Sequence, residues 1–501
     1  MKRIISALLS LTMAASMAVG LSGCKLLDKL NQGETLRWIV LGEKPADFDM
    51  VLAEMNKIVE PELGMKVSVE FIDAASMNEK MKLKMAEKDP FDVCFTGYCN
   101  AYGTAVQMKG LYDITDLLDN IKMKDGSTVK MSDVVDQFYL DSATRNGRIY
   151  GIPNAQVNSN PRCFMILEST AKAAGIDAEG WQEMAVNATT TEAHKAYLAK
   201  TTEELTKLLN VQDELGLTRI NGPLLMAPSI YEGIGSGVGI RKDGSEELVL
   251  LYETPEYRYE AEVLHQWFKK GIIDKDAASR GETPATVEEQ KHFGTWEASW
   301  KPGQDQQDIE KYGEPITYVY MHAPYVNNGN PLATMQSVGA NTKHPEEAVK
   351  FIYMMNSNKD LYNLFCWGIE GKHYTKNEDG TVKFVEGSGY QDMSRSAWAY
   401  GNQFNSYVLE GQPADVWEET RQMNSDAGKS PALGFVADLS AYTTEVANIA
   451  NVLAEYKARR LFGTTDPKEW YDQFLKDLHT AGIDKIKDEL QKQYSAFLAS
   501  K

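Results

Sequence analysis

From Thr35 onward, short apolar runs alternate with amphipathic segments, the pattern of an α/β chain whose helices cover a sheet. Leu36-Arg37-Trp38-Ile39-Val40 reads as a first strand, and Phe48 to Val59 as a helix behind the turn at Glu43-Lys44-Pro45. Lys66 to Phe71 alternates with period two and reads as a second strand. A helix over Met77 to Ala86 leads to a third, buried strand over Phe91 to Phe95, ending at Thr96-Gly97-Tyr98. This order puts the strand ends near Gly42 and near Tyr98 on one edge of a sheet, where open α/β sheets hold ligands in the crevice between connecting loops. Asp113 to Leu118 predicts a short helix with its acids at the N-terminal end, where the dipole favours them.

The extended segment Gly147 to Pro153, closed by proline, reads as a first crossing into a second lobe. Beyond it the pattern predicts helices near Ala171 to Ala174, over Ala193 to Leu209 and over Tyr257 to Lys270, with a strand at Glu247 to Tyr252. Thr317 to Tyr320 and Ala333 to Val338 read as strands, the latter leading to a helix over Pro345 to Ile352 with proline and two acids in its first turn. Asn377-Glu378-Asp379-Gly380 reads as a hairpin turn, and the end is helical over Thr443 to Arg459, Pro467 to Leu478 and Ile483 to Leu498. A chain of 501 residues exceeds the size at which one core keeps growing, so two lobes are expected. Residues 35–151 with about 324–366 form the first, and 152–323 with about 367–501 the second.

Upstream of this pattern, Lys2 and Arg3 precede an apolar run from Ile4 to about Val19 diluted by small and hydroxyl residues, the layout of a secretory signal over residues 1–23. Leu21-Ser22-Gly23-Cys24 resembles the bacterial lipobox and predicts acylation of Cys24, with residues 24–34 as a tether. The expected location is extracytoplasmic, anchored by lipid to the bacterial cell membrane. No later stretch of roughly 20 residues is both free of charge and continuously apolar, as a membrane span would need to be.

The balance of 52 Lys+Arg against 71 Asp+Glu gives −19, a surface that repels nucleic acid. Cys94, Cys99, Cys163 and Cys366 are too few for a disulfide scaffold, and the Cys94/Cys99 spacing is no zinc motif; disulfides and free thiols both stay open. The seven His are scattered without an HExxH, so neither metal nor cofactor is expected. The glycine-rich run Gly233 to Gly239 matches no phosphate-cradling or nucleophile-elbow register and reads as a flexible loop.

Three segments then narrow the reading: Asp92-Val93-Cys94-Phe95-Thr96-Gly97, Tyr150-Gly151-Ile152-Pro153, and the helix opened by Pro345. They resemble the extracellular solute-binding proteins of family 1, the maltose-binding-protein-like receptors of ABC importers. Trp367-Gly368-Ile369-Glu370-Gly371-Lys372-His373-Tyr374, Tyr400-Gly401-Asn402-Gln403-Phe404 and Ser430 to Phe435 are similar to a lipoprotein subgroup with a helical C-terminal extension. The resemblance implies a two-lobed periplasmic-binding-protein-like α/β fold with hinge crossings and a helical C-terminus. It implies closure on a ligand in the interlobe cleft without chemistry, and permease subunits as partners.

A carbohydrate, expected to be an oligosaccharide, would be held by aromatic platforms rimmed with polar groups, because sugars present apolar C–H faces and hydroxyl edges. Phe293-Gly294-Thr295-Trp296 with Trp300 resembles the family's second-lobe loop, making Trp296 and Trp300 candidates. Trp367 precedes a glycine-flanked Glu370 at an expected hinge, Trp398 and Tyr400 sit in a Gly/Asn-rich segment, and Asp47 and Tyr98 lie at the strand-end edge. The alternatives are a receptor for a peptide or polyamine, or a surface-anchored polysaccharide-degrading enzyme, whose carboxylate pair would be defined in space and not in sequence.

Overall fold

The structure is a computed structural model that describes residues 35–159, 161–215, 228–280, 295–297 and 300–500. The leader, the tether and Cys24 lie outside the described residues. The chain divides into two compact units, each assembled from separated pieces: residues up to 156 with 332–407, and 157–331 with 408–501.

The first unit is built on a five-stranded sheet in the order Lys66–Ile72, Thr35–Leu41, Val93–Gly97, Thr334–Val338, Gly151–Pro153. The first three run parallel, and Thr334–Val338 is inserted antiparallel between its two neighbours. Thr35–Leu41 is nearly continuously buried, as a central strand covered on both faces must be. Trp38 fixes the distant insertion: its indole N–H donates to Gln336 Oε1 at 2.9 Å, and its ring packs on Phe351, Phe365 and Tyr400. The helix Phe48–Leu63 buries Phe48, Val51, Met55, Val59 and Leu63 at three- and four-residue spacing, and stops at Gly64 in the left-handed region. Ala74–Glu87 buries a Met77, Met81, Met85 stripe behind an Asp73 side chain that caps the Ser76 N–H.

Residues 367–407, expected with the second lobe, pack in this first unit. Tyr362 Oη–H donates to the Ala397 carbonyl, Tyr390 Oη–H to that of Phe365, and Tyr400 Oη–H to that of Leu41. The hairpin Tyr374–Lys376 with Val382–Phe384 forms around the expected Asn377 to Gly380 turn. The expected helix over Asp113 to Leu118 shrinks to one turn, Thr115–Leu117, because Asp113 Oδ1 turns back to accept from Thr115 N–H and Oγ1–H.

The second unit contains two cores. In one, the sheet Thr295–Glu297, Cys163–Leu167, Ile316–Tyr320 is antiparallel and packs beneath helices that bury Trp181, Tyr197 and Trp267. In the other, the C-terminal helices Thr443–Glu455, Pro467–Ala481 and Ile483–Ala499 close over Val238 and Ile240. The glycine-rich run is not a loop: Tyr231–Gly235 and Val238–Arg241 form an antiparallel hairpin. Ser236 and Gly237 both take positive φ at its turn, and a Cβ on Gly237 would stand 2.7 Å from the Tyr252 ring. The glycines allow a tight turn against an aromatic ring. The strand expected at Glu247 to Tyr252 is only Val249–Leu250, because Leu251–Glu253 turns to let Thr254 cap the helix Pro255–Lys270.

Cys94, Cys163 and Cys366 are buried and Cys99 partly buried, and none of the four is in a disulfide among the described residues. Among the described residues no helix is long and apolar enough to cross a membrane, and no three His, Cys, Asp or Glu gather as a metal site.

Candidate functional site

Parallel strands Thr35–Leu41 and Val93–Gly97 end on the same edge of the first unit's sheet. Gly97 ends the second with its Cα against the backbone: a Cβ there would lie 2.1 Å from the Ala333 carbonyl oxygen. That close approach turns the chain outward at Tyr98, whose N–H donates to the same carbonyl and whose side chain is 62% exposed. The Trp398 ring stands beside it, with centroids 6.2 Å apart and planes tilted by 48°. Trp398 is positioned from below, where its carbonyl accepts from Asn154 Nδ2–H and Thr334 Oγ1–H. Gln336 Nε2–H donates to the next carbonyl, Ala399. The result is a rigidly backed, partly exposed aromatic pair over a polar floor.

Asp47 and Glu370 reach the surface of the same unit but are engaged by cations. Asp47 pairs with Lys372 at 3.0 Å and meets His373 Nε2 at 3.4 Å. The Lys372 ammonium, helped by His373, holds its carboxyl below the usual range. Glu370 pairs with Lys376 at 2.9 Å. The two remaining candidates of this unit are core residues. Trp367 is 5% exposed, stacks on Phe384 at 5.2 Å and donates its indole N–H to Ser406 Oγ. Tyr400 is 1% exposed and spends its hydroxyl on Leu41. Neither ring has a free face for a solute, so both are corrected from binding candidates to packing residues.

In the second unit Trp300 is partly exposed, with its ring 5.1 Å from that of Tyr320 and 6.2 Å from that of Tyr318. Tyr318 and Tyr320 sit two apart on the strand Ile316–Tyr320 and therefore share a face. Asp308 accepts from Tyr318 Oη–H at 2.7 Å and Asp305 from the Trp300 indole N–H at 3.4 Å. Burial, and for Tyr318 the Asp308 carboxylate, push both phenols well up, so they remain neutral donors at any ordinary pH. Sequence reasoning missed Tyr318 and Tyr320, although the Thr317-Tyr318-Val319-Tyr320 alternation placed them together. Trp296 pairs in register with Phe164, but its side chain lies outside what is described.

A mixed sheet in one unit and an antiparallel sheet with C-terminal helices in the other, each unit drawn from separated pieces of chain, is the fold of the solute-binding proteins of ABC importers. Residues 431–499, which include the last helices, match a family described as a domain of unknown function, DUF3502. Over 496 residues, 97% of either chain, this protein is 23% identical to a carbohydrate ABC transporter substrate-binding protein of Streptococcus pneumoniae serotype 4. The crystal structure of the N-glycan transport solute-binding protein of Streptococcus pneumoniae superposes with a TM-score of 0.77 at 22% identity, over 93% of this chain and 99% of that one. The same protein in complex with Man5GlcNAc gives 0.69 at 23% identity, over 94% and 99%.

Proposed function

We propose that this protein is the extracytoplasmic receptor of an ABC importer and captures an oligosaccharide for transport without altering it. The observation that carries the reading is the end-to-end similarity to a carbohydrate ABC transporter substrate-binding protein. The solved N-glycan relative with its bound oligosaccharide supports a ligand of several sugar units. Two partly exposed aromatic groups, Tyr98 with Trp398 and Trp300 with Tyr318 and Tyr320, are suited to sugar C–H faces. The Leu21 to Cys24 segment supports anchoring through a lipid on Cys24, which would hold the receptor near its permease subunits.

A thermal-shift panel of mannose-containing and other oligosaccharides, peptides and polyamines tests the ligand class. A stabilising sugar recovered intact by mass spectrometry after long incubation supports a receptor. Stabilisation by peptides or polyamines alone replaces the ligand class, and cleaved sugar replaces receptor with enzyme.

A further inference from the structure

The second unit contains a groove of about 650 Å³ that the aromatic groups above do not line, walled by the hairpin of 231–241 and the segment 322–330. Its volume falls in the range of small-molecule sites, roughly 300 to 1,000 Å³. In a protein of net charge −19, its lining includes Arg162, Lys242, Glu232 and His322. His322 is held neutral, since burial and the neighbouring Lys242 and Arg162 bring it down to about 4. Its Nδ1–H donates to the Ala323 carbonyl and its Nε2 accepts from the Arg162 backbone N–H.

Glu232 is already committed, because Oε2 accepts from Tyr325 Oη–H at 3.0 Å and Oε1 from Asn328 N–H at 2.8 Å. Lys242 has no such commitment. Its ammonium lies 3.7 Å over the Tyr325 ring and makes no direct ion pair among the described residues, with the Glu232 carboxylate acting on it only from a distance. On its own hairpin Arg241 and Asp243 pair with each other at 2.8 Å, and Tyr231 lies against Arg241. A cation half-withdrawn from water beside a ring, with no carboxylate in direct contact, favours an incoming anion.

Two further donors face the same space. Asn327 and Asn330 turn their Oδ1 atoms inward to backbone N–H groups of 327–330. Their Nδ2 amides have no protein acceptor among the described residues and suit the hydroxyls of a sugar. We infer that this groove binds a sugar unit bearing one carboxylate, of the uronic or sialic acid class, with Lys242 as its counter-ion and Asn327 and Asn330 on its hydroxyls. A single ammonium matches a monoanion better than a phosphate dianion.

The inference rests on the carbohydrate-receptor reading and adds a preference to it. Burial brings Lys242 down to about 8, so the ammonium is charged below that pH and is lost above it. Binding of the acidic sugar is therefore expected to weaken several-fold between pH 7 and pH 9, while the carboxylate stays ionised throughout.

Titrate the full chain calorimetrically with glucuronate-, galacturonate- and sialate-containing oligosaccharides, their neutral counterparts and a sugar 6-sulfate. The expected result is tighter binding of an acidic member. Lys242→Met should weaken it at least tenfold while neutral sugars are unaffected, and Lys242→Arg should keep it and remove its decline at pH 9. Equal binding of acidic and neutral sugars overturns the groove's preference and leaves the receptor reading standing. Preference for the sulfate overturns the carboxylate assignment, and failure of every sugar to bind overturns both.

Discussion

Tyr98 and Trp398, 300 residues apart in the chain, bring their rings to 6.2 Å at the carboxyl edge of one sheet, and the backbone beneath each is tied down by hydrogen bonds to Ala333, Asn154 and Thr334. A preorganised ring loses little entropy when it receives a sugar face. Removing either ring should therefore weaken oligosaccharide binding by about 1 to 3 kcal/mol, by analogy with other stacked and hot-spot aromatics. Calorimetric titration of Tyr98→Ala and Trp398→Ala, with Tyr98→Phe as the control that keeps the ring, checks this. Unchanged affinity in both alanine variants would remove the pair from the site. Trp300→Ala serves as the parallel test in the second unit.

Tyr400 and Trp367 should behave oppositely. Tyr400→Phe leaves the Leu41 carbonyl without its partner and should cost about 1 to 3 kcal/mol of stability. Trp367→Ala empties space beside Phe384 and should cost about 3 to 5 kcal/mol. Urea denaturation measures both. Sugar affinity of the folded fraction is expected to match that of the parent, and selective loss of affinity at normal stability would return them to the site.

Glu204 is expected to govern part of the acid limb of stability. Its buried carboxylate sits between Lys200 at 2.8 Å and Lys207 at 2.7 Å and accepts the Asp177 N–H. Burial alone would raise its pKa, but the two ammonium groups and that N–H outweigh it and the net direction is down. A carboxyl depressed in the folded state contributes stability above its unfolded value, roughly 4.3, and loses it as pH falls through the folded value. Glu204→Gln should therefore lower the urea midpoint at pH 6 and lower it less at pH 3. An equal loss at both pH values would show that packing, and not charge, is responsible.

Cys24→Ala should release the protein from the membrane fraction of its native host, read by fractionation and immunoblot. Retention equal to the parent would overturn the anchoring reading.

The alternation of apolar runs from Leu36 to Phe95 was enough to place three strands and two helices, because strand and helix periods are local properties. Partners were not legible. Nothing in Thr334 to Val338 announces that it runs antiparallel between Val93–Gly97 and Gly151–Pro153, since that depends on where a distant chain crossing returns. Trp367, Trp398 and Tyr400 look alike in sequence, but side-chain direction divides them into two core rings and one partly exposed ring. The Gly233 to Gly239 hairpin was hidden because glycines carry no alternation, and the groove it walls depends on Lys242 meeting a segment some eighty residues later.

The second unit's C-terminal core joins parts of the chain that emerge far apart in time. Tyr471 Oη–H donates to the Tyr252 carbonyl across 219 residues, and Val238 and Ile240 share one core with helices from the last sixty residues. A nascent chain missing those helices leaves part of the hairpin's apolar face uncovered and cannot complete a cooperative unit. By placing the closing helices after the hairpin, this topology delays consolidation of that core until the helices of 443–499 have been made.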